Sequence, residues 1–132
     1  MNINATFHRA VGELAFKPFK YGENDCALFC NSVYKKAFGM DLAGDIVGTY
    51  SDEYHAARVF SKLGGWDGIL LPKGFVKVNR NLVRRGDIVI SDAAAGIWLG
   101  NNKAIFAGGI FRVSFISRGW TFYNGFASLF QG

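Results

Sequence analysis

The stretch YGENDCALFCNSVYKKAFG, Tyr21 to Gly39, holds both cysteines of the chain and its clearest periodicity. Cys26, Phe29, Cys30, Val33, Tyr34 and Ala37 recur at helical spacing and form one continuous apolar stripe. Gly39 stands where such a helix ends in a left-handed residue, and Asn24 or Asp25 stands where its first turn needs a cap. The stretch therefore reads as a helix with a thiol near its N-terminus, directly after an aspartate. The question it raises is chemical: Cys26 is either a nucleophile that needs a histidine or a buried thiol.

Upstream, TFHRAVGELAF places Phe7, Ala10, Val11 and Leu14 on one helical face before Pro18. Downstream, DLAGDIVGTY is a connector with two glycines. Ser51 is read as the cap of a further helix with Asp52 and Glu53 in its first turn. Ala56, Val59, Phe60 and Leu63 form the inner face of that helix, and Gly64–Gly65 end it. After GWDGILLPKG the period changes to two. FVKVN, DIVIS, GIWLG, KAIFAG, IFRVSFIS and WTFYN read as short strands, with GNNKA as a hairpin turn. The expected fold is a single α+β domain over residues 1–132, helical to about residue 70 and β from about 71, with the N-terminal helices packed on an antiparallel sheet.

The chain of 132 residues is 50% apolar, enough for a core in one domain. No stretch approaches the ~20 apolar residues of a membrane span, and MNINATFHRAVGEL lacks the pattern of a secretion signal. The expectation is folding in a cytoplasm with both cysteines reduced. The net charge of +5 is unevenly placed: residues 1–72 hold seven Lys/Arg and eight Asp/Glu, residues 73–132 eight and two. A basic half suits an anionic partner, but a solvated surface of alternating strands is the preferred account. Thirteen phenylalanines are many for this length, and an apolar surplus marks a protein contact.

A thiol at a helix N-terminus gains from the unpaired N–H groups and the positive end of the macrodipole. Catalysis needs more: an imidazole within reach and a group to orient it. The order of motifs here resembles the NlpC-type papain-like cell-wall peptidases, and more closely a small relative of theirs found in phage and prophage genomes. The residues that carry the likeness are Tyr21, Gly22, Asn24, Asp25 and Cys26, then Gly48 and Tyr50, Ala57, and Gly64–Gly65. RRGDIVI at 84–90 and GIWLGNNKAIFA at 96–107 complete it, so the likeness spans about residues 14–110. In those peptidases the hairpin strand begins with the catalytic histidine, followed by Val-Gly-Ile. The resemblance puts Ala94 at that base position and Phe106 at the orienting position on the next strand. It thus implies a papain-like pseudoenzyme whose triad is reduced to Cys26.

His8 and His55 lie on helices and would approach Cys26 from another side than the family's strand does. Cys26 remains either a relic nucleophile or a structural thiol filling a small hole, the second being preferred. Cys30 reads as core. No cysteine or histidine spacing supports zinc, and neither a metal nor a cofactor is expected. Asp25 reads as a helix cap, and RRGD as a basic turn leading into a strand.

Two functions follow. One is a non-catalytic structural protein of a phage virion, in the tail or its attachment region, made in the host cytoplasm before assembly. Its partners would be other virion proteins or further copies of itself, through the aromatic and basic C-terminal segment. The residues assigned to that protein–protein interaction are Phe111, Arg112, Phe115, Arg118, Trp120, Phe122, Tyr123, Phe126 and Phe130. The alternative is an active cysteine peptidase or amidase cutting cell-wall peptides with Cys26 as nucleophile. A nucleic-acid-binding module ranks last, because the aromatics are not interleaved with Lys/Arg.

Overall fold

Helix α2, Cys26–Phe38, forms as its stripe dictates. Asp25 caps it with a side chain that accepts from the Leu28 N–H, and Gly39 closes it in the left-handed conformation at φ 67°. Phe29, Cys30, Val33, Tyr34 and Ala37 are buried. The computed structural model describes residues 3–14, 17–91, 94–107, 109–112 and 120–125. Helix α1, Ile3–Leu14, lies against α2 with Phe7, Ala10, Val11 and Leu14 buried. A Phe7–Phe38 ring stack and a Lys36–Glu13 ion pair join the two helices.

Helix α3 spans Glu53–Lys62, and its cap is Asp52 rather than Ser51: the Asp52 side chain accepts from the His55 N–H. Only Ala56 of its expected inner face is fully buried, Val59 and Phe60 are partly covered, and Leu63 is exposed. Residues 65–70, to which the sequence reading assigned no element, form a fourth, short helix, α4, Gly65–Leu70, which buries Ile69 and Leu70.

Six strands follow: β1 Val76–Val78, β2 Ile88–Ser91, β3 Ala94–Gly100, β4 Lys103–Phe106, β5 Gly109–Arg112 and β6 Thr121–Asn124. They form one antiparallel sheet in the order β1-β6-β2-β3-β4-β5. The β3–β4 hairpin turns through Asn101 and Asn102, both with positive φ (52° and 55°), the backbone that a two-residue primed turn requires. The fold is thus α+β with helices on a sheet, as expected.

Both faces of the inner strands β2, β3, β4 and β6 carry buried residues. Ile88, Ile90, Ala95, Ile97, Ile105 and Tyr123 pack into the core shared with the helices. Val89, Trp98, Ala104 and Phe122 form a second cluster, joined by the partly buried Phe106 and Trp120. The two sets follow the period-two alternation along each strand. This corrects part of the interface reading: Phe122 and Tyr123 are core residues, 4% and 3% exposed, one in each cluster. Trp120 is half-buried and packs against Phe106 and Phe122. Phe111 and Arg112 stand on β5, opposite Ala104 and Lys103. Phe115, Arg118, Phe126 and Phe130 lie outside the described residues.

The RRGD turn ties the helical layer to the sheet. Tyr34 donates its hydroxyl to the Gly86 carbonyl at 2.5 Å, the Gly86 N–H bonds the Trp98 carbonyl, and Asp87 Oδ2 accepts from the Arg84 N–H. Asp87 is fully buried. Burial raises its carboxyl to about 7, against the pull of the Arg84 N–H, the Arg84 charge and the Gly125 N–H. Below about 7 the native state therefore favours the protonated acid, and between 3.8 and about 7 folding takes up a proton. The stabilising effect is complete below the unfolded value of 3.8 and is lost as pH rises through about 7. With each unit worth about 1.4 kcal/mol, the loss over that window is at most about 4 kcal/mol. Urea unfolding followed by circular dichroism across this range is expected to show the decline, and Asp87→Asn is expected to flatten it.

Candidate functional site

The N-terminus of α2 is assembled from three segments around one side chain. Asp25 is 2% exposed, and its Oδ1 accepts the Leu28 N–H at 3.0 Å. Oδ2 accepts the Gly22 N–H at 3.0 Å and the Tyr50 hydroxyl at 2.5 Å. The loop before the helix and the loop after the 3-10 turn at Gly44–Ile46 are further joined by the Gly48 N–H bonding the Gly22 carbonyl at 2.8 Å. Gly22 has φ +82°, and a Cβ there would lie 2.0 Å from the Tyr50 carbonyl oxygen. Only glycine fits, because backbone cannot yield as a flexible side chain can. Gly22, Asp25, Gly48 and Tyr50 are therefore one hydrogen-bonded unit. Its role is broader than the simple cap read from the sequence.

Cys26 follows Asp25 and is partly buried against the core. Its thiol meets the backbone N–H of Ala95 on β3. Burial pushes the thiol above its ordinary value, and the Asp25 charge adds to that. The N–H groups of Ala95, Ala27 and Cys26 itself pull in the opposite direction and are outweighed. Desolvation thus defeats the helix terminus, and the native state favours thiol over thiolate. Cys30, one turn on, is fully buried and raised further by the same cause. The Tyr50 hydroxyl is also raised, by burial and then by its hydrogen bond to Asp25.

The strand facing Cys26 differs by one residue from the sequence reading. Ala95 lies on the helix-facing side of β3, so alternation turns Ala94 to the opposite side. Phe106 packs with the outer cluster, its ring over Gly96, and the core-facing residue of β4 is Ile105. The positions that could carry a base and its orienter toward Cys26 are thus Ala95 and apolar residues of β4. The reason for the difference is that a one-residue shift along a strand exchanges its faces. The chemical result is unchanged, since none of these side chains can take a proton.

Neither histidine contributes to the site. His55 is exposed and its Nδ1 lies 2.7 Å from Asp52 Oδ2, its own helix cap. His8 is exposed on α1, beside Phe7. Neither is among the groups that shift the Cys26 thiol. Among the described residues no three His, Cys, Asp or Glu side chains group as metal ligands. No helix among them is long and apolar enough to cross a membrane.

Over residues 2–122 the sequence matches the family described as a domain of unknown function, DUF6950. The chain belongs to the DUF6950 family. The match takes in the whole Asp25 unit and all of the sheet up to Phe122 in β6. No curated protein matches the sequence.

Two expectations follow for this DUF6950 domain. Asp25→Ala leaves the Gly22 and Leu28 N–H groups and the Tyr50 hydroxyl without their acceptor, and is expected to cost about 3 kcal/mol in urea unfolding. The isosteric Asp25→Asn should cost less, because its carbonyl oxygen still serves as a cap. Alkylation by iodoacetamide should follow a Cys26 titration midpoint above the ordinary 9.0, with Cys30 unreactive until the protein unfolds. Mass spectrometry of digests resolves the two cysteines.

Proposed function

We propose that the chain is a non-catalytic structural protein of a phage virion, a tail or tail-attachment component on a papain-like scaffold that lacks the catalytic triad. The observation that carries this reading is the surroundings of the Cys26 sulfur. The thiol sits at a helix N-terminus against an antiparallel strand, the arrangement that the likeness to NlpC-type peptidases leads one to expect. Yet it faces Ala95, is held above its ordinary pKa, and has a carboxyl group rather than an imidazole as its neighbour. A thiol so placed is a poor nucleophile near neutrality. The fold then serves through its surfaces. Before assembly the protein would reside in the host cytoplasm.

Purified protein incubated with peptidoglycan is expected to release no peptide or amino-sugar fragments, and Cys26→Ala to change nothing. A positioned general base alone accounts for about 10²–10⁴-fold in rate, so an intact site would be evident. Turnover abolished by Cys26→Ala in a folded variant would establish the peptidase reading instead. Mass spectrometry of purified phage particles tests the other half, with the chain expected at structural stoichiometry. A truncation probing the C-terminal contact has to begin at residue 126, because Asn124 and Gly125 are buried in the fold. The 126–132 deletion is expected to fold and to drop out of particles.

A further inference from the structure

The two ends of the sheet differ in charge. At one end β2 and β4 begin and β3 and β5 finish, as the pairs Ile88–Ile97, Gly100–Lys103 and Lys103–Arg112 place them. Arg84 and Arg85 stand there on the turn into β2, and Arg85 Nε donates to the Leu99 carbonyl at 3.1 Å. Lys103 opens β4, with Arg112 its register partner on β5. Arg84 and Arg85 are exposed and Lys103 is half-buried. The exposed Asn101 and Asn102 lie between β3 and β4 at the same end.

These cations lack counter-charges. Between Gly68 and Gly132 the only acidic residues are Asp87 and Asp92. Asp87 is fully buried and accepts the Arg84 N–H. Asp92, outside the described residues, follows Ser91, whose pairing with Ala94 marks the opposite end of β2. In the helical half Glu13 pairs with Lys36, Asp67 with Lys77, and Asp41 accepts the Gly44 N–H. Among the described residues Arg84, Arg85 and Lys103 make no ion pair. The region around the start of α2 is different, because there the signs are mixed and paired: Lys20 with Glu23, His55 with Asp52.

We propose that this basic end of the sheet binds the phosphate backbone of double-stranded nucleic acid without reading its sequence. None of the exposed large apolar side chains lies on the turn into β2 or on the β3–β4 turn, so the apolar anchors of a protein contact are missing there. Arginine, lysine and asparagine side chains are the groups that contact phosphate oxygens. Strands about 4.8 Å apart put β2 and β5 about 14 Å apart, the axial length of about four phosphates on one strand of a duplex. Single strands are held by stacking on aromatic rings, which these turns do not offer, whereas duplex phosphates need none. Binding of this kind goes beyond the virion assignment and does not rest on it.

The test is fluorescence anisotropy of labelled duplex DNA of about 20 base pairs, titrated with the full chain. Binding is expected in about 50 mM salt, to be the same for unrelated sequences, and to weaken roughly 100-fold by about 200 mM, as pairing with about four phosphates requires. The single strand of the same length should bind more weakly. Arg84→Glu/Arg85→Glu, folded by circular dichroism, should lose at least about tenfold in affinity. Lys17→Glu/Lys20→Glu changes the net charge equally in the mixed-sign region and should bind as the wild type does. A wild type that binds no duplex in about 50 mM salt would overturn the proposal, as would equal losses in both reversals, which would indicate net charge alone. Tighter binding to vesicles of anionic phospholipid or to polyglutamate than to duplex would replace it with a membrane or a protein partner. If the arginine pair fails to fold when reversed, Arg84→Gln/Lys103→Gln gives the same reading with a smaller loss.

Discussion

Three hydrogen bonds to one buried carboxyl group hold the start of α2 in place. Asp25 takes the Leu28 N–H, which any N-cap can do, and also the Gly22 N–H and the Tyr50 hydroxyl, which lie outside the helix. A buried carboxyl group is tolerable only when its oxygens are satisfied, and here the donors come from two loops. Those loops are consequently fixed relative to the helix, and the helix relative to β3, which the Cys26 thiol touches. Phe19 and Val47, both exposed, lie on the same loops. One side chain thereby positions both the thiol and the loops beside it.

The same construction decides the chemistry. A helix N-terminus offers a thiolate only partial charges from a few N–H groups, whereas burial removes its hydration, and a neighbouring aspartate opposes it directly. Active papain-type sites overcome these costs with an imidazolium that shares the proton. In this chain the strand supplies Ala95 instead, and the backbone N–H groups offset desolvation only in part. Asp25 stabilises the fold and disfavours the anion that catalysis would need. Stability and nucleophilicity are opposed at this one position.

How legible this was in the sequence varies with the physics of each part. The α2 stripe and the Asn101–Asn102 turn were readable because local periodicity and local backbone preference determine them. Helix α4 was not: GWDGIL is one and a half turns with two glycines, and only its burial of Ile69 and Leu70 sustains it. Asp52 replaced Ser51 as cap because an offset of one residue cannot be fixed by composition when both are good caps. The shift from Ala94 to Ala95 has the same origin on a strand, where one residue decides the face. The bond from Tyr50 to Asp25 spans 25 residues and left no local trace beyond the presence of both in the family-like motif.

The aromatic surplus led the sequence reading toward a C-terminal interface by assuming a sheet with one wet face. Val89 and Ala104 at 0% exposure, with Trp98 and Phe122 close behind, show that the outer face is a second core. Phe122 therefore serves the fold, as Tyr123 does from the other side, where its hydroxyl reaches Asp67. Once both faces of the inner strands are occupied, unpartnered apolar surface has to be sought at edges and loop clusters rather than on alternate strand positions. That is where Leu71, Val76 and Leu82 lie, beside a β1 strand of only three residues. A short edge strand bearing lysine resists pairing with other strands, so a contact there depends on side chains instead of backbone hydrogen bonds.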